Sequence, residues 1–316
     1  MNEKKLKILV FGAGGVGAYF GGRLAQAGAE VAAVCRSDYE SVKKFGYRIG
    51  SIAGDFEFIP VKVCHSAADY HDAADIVMVT TKVLPGISVP ELIRPAVAKH
   101  TAIFIVQNGI DVEQEFAAAF PENELISAIA YIGVFREGDG RITHQGAGRL
   151  RAGMYPEGNA SPRLKQLAEL FKLAGVECET VSDIVRVRWE KLVWNVPFNP
   201  VSVLAGCVDT REMVLNPELE KLCLNLMLEV CAVAKACGRE LPHDVAEKNL
   251  NYTRTFPPYK TSMLVDYENG RPLEVEAILG RVIRNAEAHD VPIPHIRTVH
   301  ALLSSVDRNV IRKNKL

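Results

Sequence analysis

The order of apolar and polar positions divides the chain into two regimes. Through the first half, short apolar runs recur between glycines, asparagines and charged residues: "KILVF" at 7–11, "EVAAVC" at 30–35, "DIVMVTTK" at 75–82, "AIFIVQNG" at 102–109 and "LISAIAYIGV" at 125–134. Runs this short, rich in Val and Ile, predict buried strands. The first two enclose a glycine turn and a helical stretch, so that strand, turn, helix and strand fit within the length of one βαβ unit. Further on, "GRITHQGAGRLRAGMY" predicts a hairpin pair of short strands, "PRLKQLAELFKLAG" an amphipathic helix closed by Gly175, and "VECETV" a last strand. This first domain is expected over 1–182.

From Asp183 the strand signals stop. Val185, Trp189, Leu192 and Val196 recur at helical spacing, and Arg188, Lys191 and Asn195 form the adjoining stripe. Pro197 is expected to disturb this helix near Val193. "PELEKLCLNLMLEVCAVAKACG" predicts a long helix ended by Gly238, with Leu219, Leu222, Leu226 and Val230 as its core stripe. "TSMLVDYENG" predicts a shorter helix in which Ser262 is either a first-turn residue or a ligand donor. "LEVEAILGRVIRNAEAH" predicts another, with Glu274 and Glu276 in its first turn, where carboxylates favour the helix dipole. The basic tail "RNVIRKNKL" reads as a solvated end. The fold class is therefore an α/β, Rossmann-type doubly wound N-terminal domain followed by an all-α C-terminal domain over 183–316.

Charge and cysteine usage narrow the partners. A net charge of -1 over 316 residues lacks the positive surplus that nucleic acid or an anionic membrane requires, which leaves a small molecule as the expected partner. The seven cysteines, at 35, 64, 178, 207, 223, 231 and 237, contain no pair at metal-ligand spacing, so no metal site is expected. They fit reduced thiols. "MNEKKLKILVFGAGG" does not resemble a signal peptide, and no apolar run is long enough to span a bilayer. A soluble, cytoplasmic protein is expected, as a monomer or a homodimer.

Two stretches carry candidate chemistry. Gly12, Gly14 and Gly17 supply G-x-G-x-x-G between a strand and a helix. Gly12 permits the tight turn, Gly14 lets the backbone approach a pyrophosphate, and Gly17 lets helix and strand pack closely. Free N–H groups and the positive dipole end of the helix then face the phosphates of a dinucleotide. Where a chain preferring NAD places an acidic residue after the second strand, this one has Arg36. A guanidinium suits a 2′-phosphate, so NADPH/NADP is the expected cofactor. Lys82 and Asn108 end later strands, where ligands bind in open α/β sheets, and Thr80, Thr81 and Gln107 join them as candidates on the nicotinamide side. Turn chemistry alone would also explain Asn108-Gly109. The second stretch is "RWEKLVWNVPFNP" at 188–200, which sets Lys191, Asn195 and Asn199 within an apolar run. A snorkelling stem on an exposed face is one reading, and a catalytic lysine at the mouth of a pocket is the other.

"GAGGVG", "QNG" at 107–109, "WEKLVWNVPFNP" at 189–200 and "SMLVDYENGRPLEVEAILG" at 262–280 resemble, in order and spacing, the signature segments of the ketopantoate reductases, also called 2-dehydropantoate 2-reductases. The resemblance runs over nearly the whole chain. It implies that Lys191 is the general acid on the substrate ketone and Glu274 an active-site glutamate. Asn195, Asn199, Ser262 and Asn108 would bind the 2-oxo acid, and Gly12, Gly14, Gly15, Gly17, Arg36, Lys82 and Asn108 the cofactor. Departures are local: Pro197 follows the first asparagine, and "CVDTREM" replaces a more usual glycine-leucine ending. The chemistry agrees, since a cationic lysine can stabilise a developing alkoxide and then protonate it. Burial among Trp189, Trp194 and Leu192 would lower its pKa and Glu274 would raise it.

The expected reaction is reduction of ketopantoate to pantoate, a step toward pantothenate and coenzyme A. Alternatives are a related reductase of a different 2-oxo acid, a β-hydroxyacid dehydrogenase, and a non-catalytic NADP(H)-sensing protein that kept the fold.

Overall fold

Strand β1 (Lys7–Phe11) lies between β2 (Glu30–Val34) and β6 (Ile76–Val79), parallel to both, within a ten-stranded sheet in the computed structural model, which describes residues 5–313. The residues group into two units. The first comprises Met1–Lys82, Ile87–Gln107 and Val112–Ile184, and the second Val83–Gly86, Asn108–Asp111 and Val185–Leu316.

In the first unit, β5 (Val63–Cys64) continues the parallel ladder beyond β2, while β7 (Ala102–Ile105) and β8 (Leu125–Gly138) continue it beyond β6. The strand order thus reverses direction at β1, which is the topological switch point of a doubly wound sheet. The β1, β6 and β7 runs are buried almost throughout, as expected for strands covered on both faces. Helices α1 (Gly15–Gln26), α2 (Tyr39–Phe45), α3 (Val89–Ile93), α4 (Glu113–Ala119) and α5 (Pro162–Leu173) connect the strands. Ser161 caps α5 by accepting from the Leu164 N–H, and Gly175 follows with φ 71°. The close of this unit, β10 (Cys178–Thr180), pairs in parallel with β9 (Arg141–Tyr155).

The expected hairpin of short strands at 140–155 is instead one long strand, β9 (Arg141–Tyr155), antiparallel to β8. The Gly146-Ala147-Gly148 run that suggested a turn is a bulge: Tyr131 pairs with Arg149 and Ile132 with Ala147, leaving Gly148 over, with positive φ at Ala147 and Gly148. A glycine-rich bulge and a glycine-rich turn use the same residues, so the one was read as the other. Two short strands absent from the sequence reading, β3 (Tyr47–Ser51) and β4 (Phe56–Phe58), extend the sheet at β9.

The second unit is helical: α6 (Ile184–Leu204, its first residue in the first unit), α7 (Thr210–Leu215), α8 (Pro217–Ala236), α9 (Val245–Thr255), α10 (Ser262–Glu268), α11 (Arg281–Ala288) and α12 (Pro294–Lys313). Leu226, Met227, Val230 and Val233 of α8 pack with Trp189, Leu192, Val193 and Val196 of α6 in its core. Pro197 and Pro200 do not end α6, which runs on for 21 residues. Each proline only withholds an N–H from a carbonyl four residues back, at Val193 and Val196, and packing on all sides holds the helix. The basic tail is helical up to Lys313, and 314–316 lie outside the described residues. Among the described residues no helix is long and apolar enough to cross a membrane, and no group of His, Cys, Asp or Glu could hold a metal.

Candidate functional site

The first unit presents a glycine cradle. Phe11 and Val79 are register partners, as are Val79 and Ile105, so Gly12, Thr80 and Val106 follow side by side at the carboxyl edge of the sheet. Gly12 has φ 92°, and a Cβ there would lie 2.5 Å from Thr81 Cγ2. At Gly17 a Cβ would lie 2.5 Å from Thr80 Oγ1 and 2.8 Å from the Gly12 carbonyl, so only glycine lets α1 approach the sheet this closely. The Thr80 hydroxyl donates to that same carbonyl at 2.8 Å, and the buried Tyr47 hydroxyl donates to the Ala13 carbonyl at 2.8 Å. Gln107 is tied to Thr81 through its amide, at 2.9 Å to the carbonyl.

Gly14 differs from the other glycines. A Cβ there would meet nothing nearer than the Gly12 carbonyl at 3.9 Å, so the space above it is open. It precedes α1, whose first intrahelical bond runs from the Ala18 N–H to the Gly14 carbonyl. The preceding amides of the helix have no carbonyl behind them to bond. An open backbone and unsatisfied N–H groups suit a pyrophosphate. Gly15 lies closer to β8, its Cβ position 3.3 Å from the Val134 carbonyl. Past the end of β2, Arg36 is exposed, whereas Asp38 is buried and paired with Arg136 at 2.5 Å. With Asp38 paired to Arg136, the turn presents the exposed Arg36 to an anion. Lys82 is half-buried.

The second unit gathers a polar cluster. On α6, Arg188, Lys191, Asn195, Asn199 and Ser202 recur at three- and four-residue spacing and share one face. Asn195 and Asn199 are each 4% exposed. Amides placed here can both donate to and accept from a polar ligand. Ser202 donates its hydroxyl to the Asn199 carbonyl at 2.8 Å, so the Thr261 hydroxyl 2.8 Å away must donate to Ser202. Thr261 in turn accepts from the Leu264 N–H and caps α10. Thr261 is therefore the cap, and Ser262 is the first residue of the helix, in its first turn and exposed.

Glu274 lies just before the helical turns rather than in their first turn, because 276–280 form a π-helical segment that precedes α11. Its carbonyl accepts from the Ile278 N–H, and its carboxylate accepts from the Val83 N–H at 3.1 Å. Lys191 is partly buried. Burial, and then the Arg188 guanidinium, push its pKa down to about 8, against the opposing pull of the Glu274 carboxylate. Arg188 is fully buried and donates to the Gly109 carbonyl at 2.9 Å, beside the half-buried Asn108. The cluster thus collects Lys191, Asn195, Asn199, Glu274 and Asn108 within one unit, with Ser262 exposed on the helix that Thr261 ties to it. Sequence reasoning had set Arg188 only on a stripe and had not seen Val83, for which a backbone N–H leaves no signal.

The model of the family "Ketopantoate reductase PanE/ApbA" matches residues 8–157, and that of its C-terminal domain matches 183–307. A 2-dehydropantoate 2-reductase of Nostoc sp. is 35% identical over 97% of this chain and 96% of its own. The chain belongs to the ketopantoate reductase family. That family's oxidoreductases include a solved 2-dehydropantoate 2-reductase from Methylococcus capsulatus, 45% identical, with a TM-score of 0.90 over 96% of this chain and 98% of that one. A D-mandelate dehydrogenase solved with NADH and anilino(oxo)acetate shares the fold, at 21% identity and a TM-score of 0.86 over 96% and 99% of the two chains.

Proposed function

We propose that the protein is an NADPH-dependent 2-dehydropantoate 2-reductase, forming pantoate from ketopantoate on the way to pantothenate and coenzyme A. The observation that carries this reading is Lys191, half-buried on one helix face with the buried amides of Asn195 and Asn199 and within the field of the Glu274 carboxylate. Residence in the family and 45% identity to a 2-dehydropantoate 2-reductase support it.

In this reading Gly12, Gly14, Gly15 and Gly17 with the start of α1 hold the pyrophosphate, Arg36 holds a 2′-phosphate, and Lys82 and Asn108 contact the rest of the cofactor. When bound, the dihydronicotinamide supplies hydride to the C2 carbonyl carbon. Lys191 stabilises the negative charge that develops on the carbonyl oxygen and delivers the proton to it. A pKa near 8 leaves the group cationic at neutral pH yet a readier donor than an ordinary lysine. Asn195, Asn199 and Ser262 bind the substrate's polar groups, and Glu274, oriented by the Val83 N–H, stands opposite in charge to Lys191.

The test is spectrophotometric consumption of NADPH with ketopantoate, run beside NADH, pyruvate and 2-oxoisovalerate, for the wild type and Lys191→Ala. Turnover selective for NADPH and ketopantoate and lost in the variant is expected. Selective turnover of another 2-oxo acid would move the substrate while keeping the chemistry, and NADPH binding without any turnover would favour a sensor.

A further inference from the structure

The Asn108–Asp111 segment belongs to the second unit although it follows a strand of the first. Four contacts within that unit hold it. Arg188 of α6 donates to the Gly109 carbonyl at 2.9 Å, and Arg281 of α11 donates to the next carbonyl, Ile110, at 3.0 Å. Asn285, one turn after Arg281, donates to the Asp111 carboxylate at 2.7 Å. Gly109, with φ 99°, lies so close to the π-helical segment that a Cβ would be 2.6 Å from the Ala277 carbonyl. Both arginines are buried, Arg188 fully and Arg281 nearly so.

Two buried guanidiniums from different helices donate to two consecutive carbonyls, which ties the turn to both helices at once. The arginines also differ. Arg188 is three residues before Lys191 on α6, whereas Arg281 is on another helix. We infer, on the reading of the site given above, that both are positioning residues which fix the turn bearing Asn108, and that Arg188 alone acts in addition on Lys191 through its charge.

The physical basis is asymmetric. A guanidinium keeps its proton under all ordinary conditions, so when Arg188 and Lys191 are desolvated as neighbours, the lysine is the group whose charge yields. Two charged groups act on Lys191 in opposite senses: Arg188 from its own helix favours the neutral amine, and Glu274 from the segment before α11 favours the cation. Asn108 and Val83 bring no charge. Losing Arg188 would leave burial alone against Glu274 and move the lysine part of the way back toward its ordinary range.

The experiment is a 13C-NMR titration of lysine-labelled protein, with Lys191 assigned by Lys191→Arg, beside pH profiles of NADPH-dependent ketopantoate reduction. It compares the wild type with Arg188→Gln, Arg188→Lys and Arg281→Gln. Gln at 188 keeps a donor for Gly109 but removes the charge, so the Lys191 midpoint should rise by about 1 pH unit and the alkaline limb of turnover with it. Lys at 188 keeps the charge but loses the planar fork, so the midpoint should stay while kcat/KM drops roughly tenfold to a hundredfold. Gln at 281 should lower kcat/KM and leave the midpoint alone. An unmoved midpoint in Arg188→Gln, or an equal shift in Arg281→Gln, overturns the inference. If Arg188→Gln does not fold, a midpoint in Arg188→Lys that has risen to that of an ordinary lysine overturns it instead. No turnover of ketopantoate by the wild type, with the midpoint still shifting in Arg188→Gln, would overturn the substrate reading and leave the action of Arg188 on Lys191 standing.

Discussion

The glycine cradle and the lysine cluster are assembled in opposite ways. Gly12, Gly14, Gly15 and Gly17 fall within six consecutive residues, and their local conformation already makes most of the site; Thr80 and Thr81 only set how close the turn can lie to the sheet. The lysine cluster draws on α6, the segment before α11, and the pieces Val83–Gly86 and Asn108–Asp111, with single contacts spanning up to 191 positions. A site made by one turn depends on backbone geometry. A site made by several segments depends on electrostatics and on what holds the segments in place.

The sharpest test of that contrast is Lys191→Ala. It should lower kcat/KM for ketopantoate reduction by about 10³-fold, within the range for loss of a general acid and a charge stabiliser, while NADPH affinity by calorimetry stays near wild type. Equal losses of turnover and cofactor affinity would mean that the two regions are not separable. Next in size is Gly17→Val, whose Cβ would run into Thr80 Oγ1 and the Gly12 carbonyl. NADPH affinity should fall by roughly a hundredfold, with a stability loss of about 1–3 kcal/mol from overpacking, while the NMR midpoint of Lys191 stays unchanged. Unchanged cofactor binding in that variant would remove the cradle from the cofactor site.

Arg36→Ala should cost NADPH binding about 1.5–3 kcal/mol, the range of a hydrogen bond to a charged group, and leave NADH binding untouched. A parallel loss for both cofactors would show that Arg36 does not read the 2′-phosphate. The smallest effects concern pH. With the Lys191 pKa at about 8, turnover should decline as pH rises through 8 and the proton donor is lost. Stability should run the other way. A folded-state pKa below the unfolded value of a lysine penalises the fold at pH below 8, and the penalty fades as pH rises from 8 toward the ordinary lysine range, because there the unfolded chain binds more protons. Lys191→Met should therefore stabilise the protein by about 1–2 kcal/mol at pH 7 and much less near pH 10, by urea denaturation at both. A constant difference across pH would place the lysine in water.

Much of this molecule is legible in its amino-acid order, for reasons that differ by element. The parallel strands announce themselves as buried Val and Ile runs, and α1 as a helix that starts on glycine. The long β9 did not, because the glycines of its bulge carry the same signal as a turn. Pro197 and Pro200 suggested a disturbed α6, whereas burial on all sides keeps it continuous. Lys191 and Asn195 could be set on one helix face from spacing alone, whereas Asn199 joins them only because α6 runs on through Pro197. That Thr261 rather than Ser262 caps α10, and that Glu274 precedes a π-helical segment, depended on hydrogen bonds that spacing does not encode.

The sequence by itself determined the two regimes of structure, the glycine turn and the helical stripe bearing the lysine, since periodicity and backbone preference act over a few neighbouring residues. Only the tertiary structure decided that Val83 orients Glu274, that Arg188 and Arg281 hold Gly109 and Ile110, and that Lys191 sits where burial and Arg188 outweigh Glu274. Burial and charge depend on distance through space, and that distance exists only once segments remote in the chain have packed together.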